Sequence, residues 1–375
     1  IGASEKQGSV GCAIMKNLLA GSDRCEIFPV NPWQKELFGL PCFARVQETR
    51  GTVDMAVIAT PIQMVPELVD ACGKKGVAGA VIVSSGGRET GTRGKELEEQ
   101  ILAAAKKYGI RIIGPNCLGI INTTISLNAG FAHLSPLPGS IAFLSQSGAV
   151  CTSVLDLALR KKVGFSHFVS LGSMVDVDFA DMIDYLGSQR SVGSIVMYME
   201  NITNIRNFMS AARAVSRIKP IIVLKSGRSG PGARAAASHT GAMAEEDTLY
   251  DAAFQRAGIL RVTEFEELFD CIAFLAKQQR PKGNGLVIIT NAGGPGVMAA
   301  DALASCGMEP AGLSPETLDR LDELLPENWS RSNPIDILGD TPASAYAETV
   351  KVCAAAPETD ALLLICSPAG TMDTR

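Results

Sequence analysis

Residues 225–244, KSGRSGPGARAAASHTGAMA, hold the strongest concentration of chemistry in the chain. They follow an apolar run, residues 220–224, that reads as a buried parallel strand. The chain then opens into a loop of Gly, Ser and Ala that carries Arg228, Arg234 and His239, one of 3 histidines in the protein. Small neighbours let a bulky charged group approach both the backbone and the imidazole. A second apolar run, residues 194–199, ends in Glu200. The end of a parallel strand lies on the ligand side of its sheet, so this carboxylate is expected near the histidine loop. Glu200 can hold one ring nitrogen of His239 by hydrogen bond and leave the other as a nucleophile. The plain alternative for Glu200 is a surface acid that caps a helix.

Two turns share a strand–turn–helix pattern. Residues 141–144 feed Ser145, Gln146, Ser147 and Gly148; residues 286–290 feed Asn291, Ala292, Gly293 and Gly294. Unpaired N–H groups and the positive end of the helix dipole make such turns anion sites, whereas either alone also reads as a tight turn without a ligand. Two of them with a histidine between fit phosphoryl transfer, which needs donors on the phosphoryl oxygens and a nucleophile facing phosphorus. Neither is G-x-x-x-x-G-K-[ST], so no P-loop is expected. Read as a hydrolase elbow with Ser147 as nucleophile, the first turn lacks the Gly that belongs where Ser145 stands. His133, in a Pro-rich loop, and His167, between Phe165 and Phe168, read as structural or exposed.

The elements that must position these residues follow an α/β rhythm. Residues 1–133 alternate short apolar strands, ending near 27–30, 57–60, 81–84 and 112–114, with helical patterns such as 94–109. That alternation predicts a doubly wound parallel sheet with its ligand at the strand carboxyl ends. Gly2, Gly8 and Gly11 open the first crossover without G-x-G-x-x-G spacing, and Asn31 and Pro32 stand where a dinucleotide site wants an acid. A looser nucleotide or coenzyme pocket is expected, lined by Gly2, Ser4, Lys6, Ser9, Asn31, Pro32, Thr60, Pro61 and the turn 114–117 with Asn116 and Cys117. Each of these alone reads equally well as a turn former. Pro136, Pro138 and Gly139 mark one boundary and residues 280–285 another, giving three α/β domains: 1–133, 139–280 and 284–375.

With 375 residues, 46% hydrophobic and 19% charged, the composition is that of a globular enzyme. A net charge of −5 argues against nucleic acid as a partner. No apolar run approaches the roughly 18 residues of a membrane span, and no signal segment is visible, so a cytoplasmic protein without a membrane partner is expected. The 10 cysteines are scattered singly, with no CxxC pair or Cys/His knuckle; no metal site is expected and the thiols read as reduced core residues. The chain opens at Ile1 where a strand should be finishing and closes just past the apolar run 361–366, as a fragment of a longer polypeptide would.

The segments IGAS, PVNP, VIATP, GPNCLGIIN, AFLSQSGAV, FVSLG, VLKSGR, SHTGAMA, TNAGGPGV and SNPIDILGD, in this order, resemble the nucleoside-diphosphate-forming acyl-CoA synthetases. This is the ADP-forming acetate–CoA ligase group, related to the succinyl-CoA synthetase alpha subunit. The resemblance implies a Rossmann-like CoA-binding domain followed by two flavodoxin-like ligase domains, the last incomplete. It implies that His239 carries the phosphoryl group, that Glu200 pairs with it, and that the helices after residues 145–148 and 291–294 face the phosphohistidine. The implied reaction is reversible: acyl-CoA, phosphate and ADP give a small carboxylic acid (acetate), CoA and ATP through an acyl phosphate. Coenzyme A is implied on the first domain. ADP or ATP with Mg²⁺ is implied mainly on an ATP-grasp domain or subunit outside these residues, in an oligomer. A similar region is fused to an acetyltransferase domain in bacterial protein lysine acetyltransferases, where it regulates; that alternative stands beside the ligase, with His239 in its SHTGA setting favouring the ligase.

Overall fold

Hydrogen bonds at the start of the chain set the first sheet. The N–H groups of Gly2 and Ala3 donate to the Val30 carbonyl and that of Ala59 donates to the Ile1 carbonyl. The structure, a computed structural model, describes residues 1–21, 24–232, 247–278 and 281–368. Helix α1 (Val10–Leu19) begins at Ser9, whose Oγ accepts the Cys12 N–H. The strand expected at residues 27–30 is reduced to an isolated bridge between Val30 and Phe43, because Pro29 offers no N–H to a ladder. A short hairpin of β1 (Glu36–Leu37) and β2 (Leu40–Pro41) follows. Strands β3 (Met55–Ile58), β4 (Gly79–Ile82) and β5 (Arg111–Ile113) then pair in parallel. The connecting helices α2 (Val65–Lys75) and α3 (Thr92–Tyr108) both end at a left-handed glycine, Gly76 and Gly109. Ile58, Val69, Cys72, Ile82, Ile101 and Ile112 fill the space between sheet and helices.

The larger sheet is built from β6 (Gly119–Asn122), β7 (Leu127–Gly130), β8 (Leu137–Ser145), β9 (Gly164–Ser170), β10 (Ser194–Met199), β11 (Ile221–Lys225) and β12 (Leu260–Val262). Among the described residues its order is β12-β11-β10-β8-β9-β6-β7, parallel except that β6 runs antiparallel to both β9 and β7. Helices on both faces leave its central strands buried on two sides. Ile195, Met197 and Val223 face one core, and Val196, Ile222 and Phe143 face the other. Two-sided burial is why these strands read as continuous apolar runs rather than alternating ones.

The larger sheet runs across residues 128–139, where a boundary was expected. The hairpin at 119–130, assigned from sequence to the first domain, hydrogen-bonds to β9, and β8 has begun by Leu137. Ile121 packs with Phe143, Phe165 and Phe168 in the second core, which draws the hairpin there. Asn17 of α1 donates to the carbonyls of Gly130 and Ala132, tying the first helix to the same hairpin. Residues 1–278 accordingly form one compact unit and the rest a second.

In the second unit β13 (Leu286–Thr290) lies between β14 (Ile335–Asp336) and β15 (Ala361–Ile365), all parallel. Val287, Ile289, Leu321, Trp329, Ile335 and Cys353 form its core. No helix of the described residues is long and apolar enough to cross a membrane.

Burial raises the thiol pKa of Cys72 and Cys353 to about 11 and of Cys117 and Cys151 to about 12. Because alkylation needs thiolate, iodoacetamide at about pH 8 should label the exposed Cys25 and Cys306 and spare these four until denaturant is added. Peptide mass spectrometry reads the result, and native labelling of Cys117 or Cys151 at the rate of Cys306 would contradict the packing described.

Candidate active site

Strands β8, β10 and β11 are neighbours, with Ser145 opposite Tyr198 and Met199 opposite Lys225. Their exit loops therefore leave one edge of the sheet side by side. The Ser226 N–H donates to the Met199 carbonyl at 2.9 Å, so the segment leading toward His239 starts against the end of the Glu200 strand. His239 and Arg234 themselves lie outside the described residues. Lys225, buried at the end of β11, places Nζ 4.4 Å from the centre of the Tyr250 ring and donates to the Ser226 carbonyl at 2.5 Å. Arg228 stands 3.5 Å from Glu264. Of the other histidines, His133 meets Asp156 at 3.0 Å on the surface. His167 is buried beside Ser166 and edge-on to Tyr185, its pKa lowered by burial and by Lys219.

The turn 145–148 was expected to offer its backbone N–H groups to an anion, and its side chains are engaged within the protein. Ser145 is fully buried; its Oγ accepts the Ser147 N–H and donates to the Ser147 carbonyl, closing the turn on itself. Ser147 caps helix α4 (Gly148–Lys161) by accepting the Val150 N–H. Gln146 points along the sheet. Its Oε1 accepts the N–H groups of Glu200 and Asn201 at 2.6 and 3.0 Å, and its Nε2 donates to Asn201 Oδ1 at 2.5 Å. One amide thus fixes the backbone that carries Glu200. What remains for an anion is the start of α4, where the first N–H groups have no acceptor within the helix.

The second unit repeats the device. Thr290 Oγ1 accepts the Ala292 N–H and donates to the Ala292 carbonyl, while Asn291 donates to the Ser367 carbonyl and accepts the Ser367 N–H. Helix Gly293–Ser305 has no side-chain cap at Ala292, and Gly293 and Gly294 are exposed. Asn291 therefore braces the next strand exit, and Ala292, Gly293 and Gly294 leave backbone available to an anion. A hydroxyl–amide pair at the end of a strand (Ser145-Gln146, Thr290-Asn291) is a signal present in the sequence that the expectation of a phosphate turn passed over.

The first sheet meets this edge directly. After the cis Gly114–Pro115 bond, Asn116 adopts a left-handed φ of 57° and its N–H donates to the Ser84 carbonyl. Ser173 and Val175 donate to the carbonyls of Pro115 and Gly114 at 2.9 and 3.3 Å. Gly172 has φ 58°, and a Cβ there would strike the Pro115 carbonyl oxygen. This packing brings Arg88, Glu89 and Asn116 opposite Gln146, Gly172, Ser173, Glu200 and Asn201 across a cleft of about 30 Å³. Arg88 is anchored by the buried Glu98 at 2.5 Å. Glu89 Oε1 accepts the Gly86 N–H, and its Oε2 is buried without a partner among the described residues, an atom that a donor on a bound group would satisfy. Arg88, Glu89 and Ser173 were not anticipated from sequence, and Gly172 entered only as the end of the segment FVSLG.

The residues expected to line a coenzyme pocket gather around the start of α1. Gly2 takes φ 83°, and a Cβ there would meet the Ala59 carbonyl. Ser4 Oγ accepts the Lys6 N–H, Ser9 Oγ donates to the Lys6 carbonyl, and Asn31 Nδ2 donates to the Ala3 carbonyl. Pro32 and Pro61 are exposed beside them, and Thr60 presents a buried Oγ1 without a partner among the described residues. With Lys6 near the helix start and no acid in the first turn of α1, this edge suits a phosphorylated ligand. Cys117 does not belong to it. It is 3% exposed and its Sγ donates to the Ile82 carbonyl at 3.2 Å, so only Asn116 of that pair reaches the cleft. No group of three or more metal-ligating side chains occurs among the described residues.

Three family models match in sequence: a CoA binding domain over residues 1–123, the succinyl-CoA ligase like flavodoxin domain over 138–275, and a Ligase-CoA domain over 286–368. The chain is 43% identical over 373 residues to the ADP-forming acetate–CoA ligase I of Archaeoglobus fulgidus, covering 100% of this chain and 54% of that protein. It is 40% identical over 366 residues to the alpha subunit of the ADP-forming acetate–CoA ligase II of Pyrococcus furiosus, covering 98% of this chain and 79% of the subunit. The chain thus spans about half the length of the first relative and most of the second. Among solved structures, the dinucleotide-forming acetyl-coenzyme A synthetase 1 of Ca. Korarchaeum cryptofilum, in complex with phosphate and ADP, superposes with a TM-score of 0.92 at 37% identity, over 99% of this chain and 80% of that one.

Replacing Gln146 by Leu leaves the Glu200 and Asn201 N–H groups without their acceptor, at about 1–3 kcal/mol each. Urea unfolding of Gln146→Leu should show a loss of roughly 2–6 kcal/mol. Gln146→Glu, which keeps the acceptor, should lose less, and equal stability of Gln146→Leu and the native chain would contradict the bracing role.

Proposed function

We propose, from the premise that the chain belongs to the ADP-forming acyl-CoA synthetase family, that it is the CoA-binding and phosphohistidine-bearing part of an acid–thiol ligase. The reaction is reversible: acyl-CoA, phosphate and ADP give the free acid, CoA and ATP. Acetate is the acid proposed, as in the named activity of both relatives. One observation carries the reading: Glu200 is braced by Gln146 at the end of β10, next to the strand that leads to His239.

In this scheme a carboxylate faces the imidazole, holds one ring nitrogen as a donor and raises the nucleophilicity of the other. His239 takes the phosphoryl group from the acyl phosphate as the acid leaves, then gives it to the nucleoside diphosphate. The first N–H groups of α4 are the candidate donors to the phosphoryl oxygens. Gly2, Ser4, Lys6, Ser9, Asn31, Pro32, Thr60 and Pro61 would hold coenzyme A, which supplies the thiol, and Asn116 stands where the first sheet meets the Glu200 cleft. The nucleotide with its Mg²⁺ is assigned to an ATP-grasp domain or subunit, in a cytoplasmic oligomer. The relatives are ligases by name, and nothing in them speaks for the acetyltransferase-regulator alternative.

With acetyl-CoA and [³²P]phosphate, the chain should acquire an acid-labile label. His239→Ala should lose the label while still binding CoA in calorimetry. Glu200→Gln should fold normally and label at least about tenfold more slowly. Undiminished labelling of His239→Ala would overturn the scheme.

A further inference from the structure

We propose that Trp33 is the platform on which the adenine ring of coenzyme A stacks; this rests on the coenzyme reading of the first domain and adds the residue that grips the nucleotide end. The chain has 2 tryptophans. Trp329 is 3% exposed, with Nε1 donating to Asp322 at 2.8 Å, as a buried indole should be. Trp33 is 86% exposed, the most exposed of the large hydrophobic side chains described. An indole left almost wholly in water forgoes a large burial gain, and a flat partner would recover it.

The backbone beneath Trp33 is rigidly tied to the start of the candidate phosphate turn. Asn31 does this with one side chain: Nδ2 donates to the Ala3 carbonyl at 2.8 Å and Oδ1 accepts the Trp33 N–H at 2.9 Å. Gly2 and Ala3 donate to Val30 from the other side. In doubly wound sheets the diphosphate of a nucleotide sits on the turn before the first helix. The adenosine half then runs over the end of the second strand, where an acid commonly holds the ribose. Here that place is occupied by Asn31, Pro32 and Trp33, with no acid. Recognition by a hydrogen-bonding carboxylate is replaced by an aromatic face. Stacking of a purine on indole suits this, because it needs area and a fixed plane rather than a donor pattern. It also leaves the pantetheine arm free to extend away from the tryptophan.

Fluorescence tests this directly, since Trp329 is buried in the other unit and serves as a constant background. The native chain should be quenched by coenzyme A and by adenosine 3′,5′-bisphosphate, and not by pantetheine. In calorimetry Trp33→Ala should weaken coenzyme A binding about tenfold or more, and Trp33→Phe should restore most of it. Coenzyme A that binds the native chain without quenching, and binds Trp33→Ala equally well, overturns the stacking while the domain's coenzyme reading stands. No heat from coenzyme A on the native chain overturns that reading and the stacking with it.

Discussion

The geometry of the candidate site depends on a single amide. Gln146 accepts two consecutive backbone N–H groups, those of Glu200 and Asn201, and donates to the Asn201 side chain. The last residues of a parallel strand lose their ladder partners as the chain turns away, and their N–H groups must be satisfied or stay wet. A side chain from the adjacent strand supplies the acceptor and removes the freedom of that exit. Glu200 consequently leaves the sheet in a fixed direction instead of fraying with its loop.

That one constraint organises what surrounds it. Ser145 closes the turn beneath Gln146 and fixes the backbone from which the amide projects. Ser147 caps α4 just beyond, aligning the helix start with the same edge. From the first sheet, the turn after Gly114–Pro115 packs onto Gly172 and Ser173 and carries Asn116 to the opposite wall of the cleft. The turn that carries Asn116 and the strand exit that carries Glu200 therefore meet within one unit, held by backbone contacts.

The same hydroxyl–amide device in the second unit shows that it belongs to the sheet architecture and not to the glutamate alone. There Asn291 grips Ser367, and the position before Ser367 is Cys366, where the first unit has Glu200 before Asn201. The two turns also differ at the helix start. In the first a serine takes one N–H; in the second no side chain caps the helix and exposed glycines surround it. Similar local folds thus differ by the one or two residues at each strand exit.

The sequence by itself determined the α/β class, the central strands and the neighbourhood of Glu200 with the loop toward His239. Strands buried on both faces must be apolar throughout, and parallel neighbours must expose their exits on one edge, so β8, β10, β11 and β13 were legible as runs. Only the tertiary structure decided which sheet the hairpin at 119–130 joins, that the Gln146 side chain braces a backbone, that Cys117 turns into the core, and that Arg88 and Glu89 reach the cleft. The first three are settled by a partner dozens of residues away: Phe168 for Ile121, Glu200 for Gln146, Ile82 for Cys117. Local pattern records how a residue meets water and its chain neighbours, whereas the direction of a polar side chain is fixed by whichever unsatisfied group the fold brings within about 3 Å.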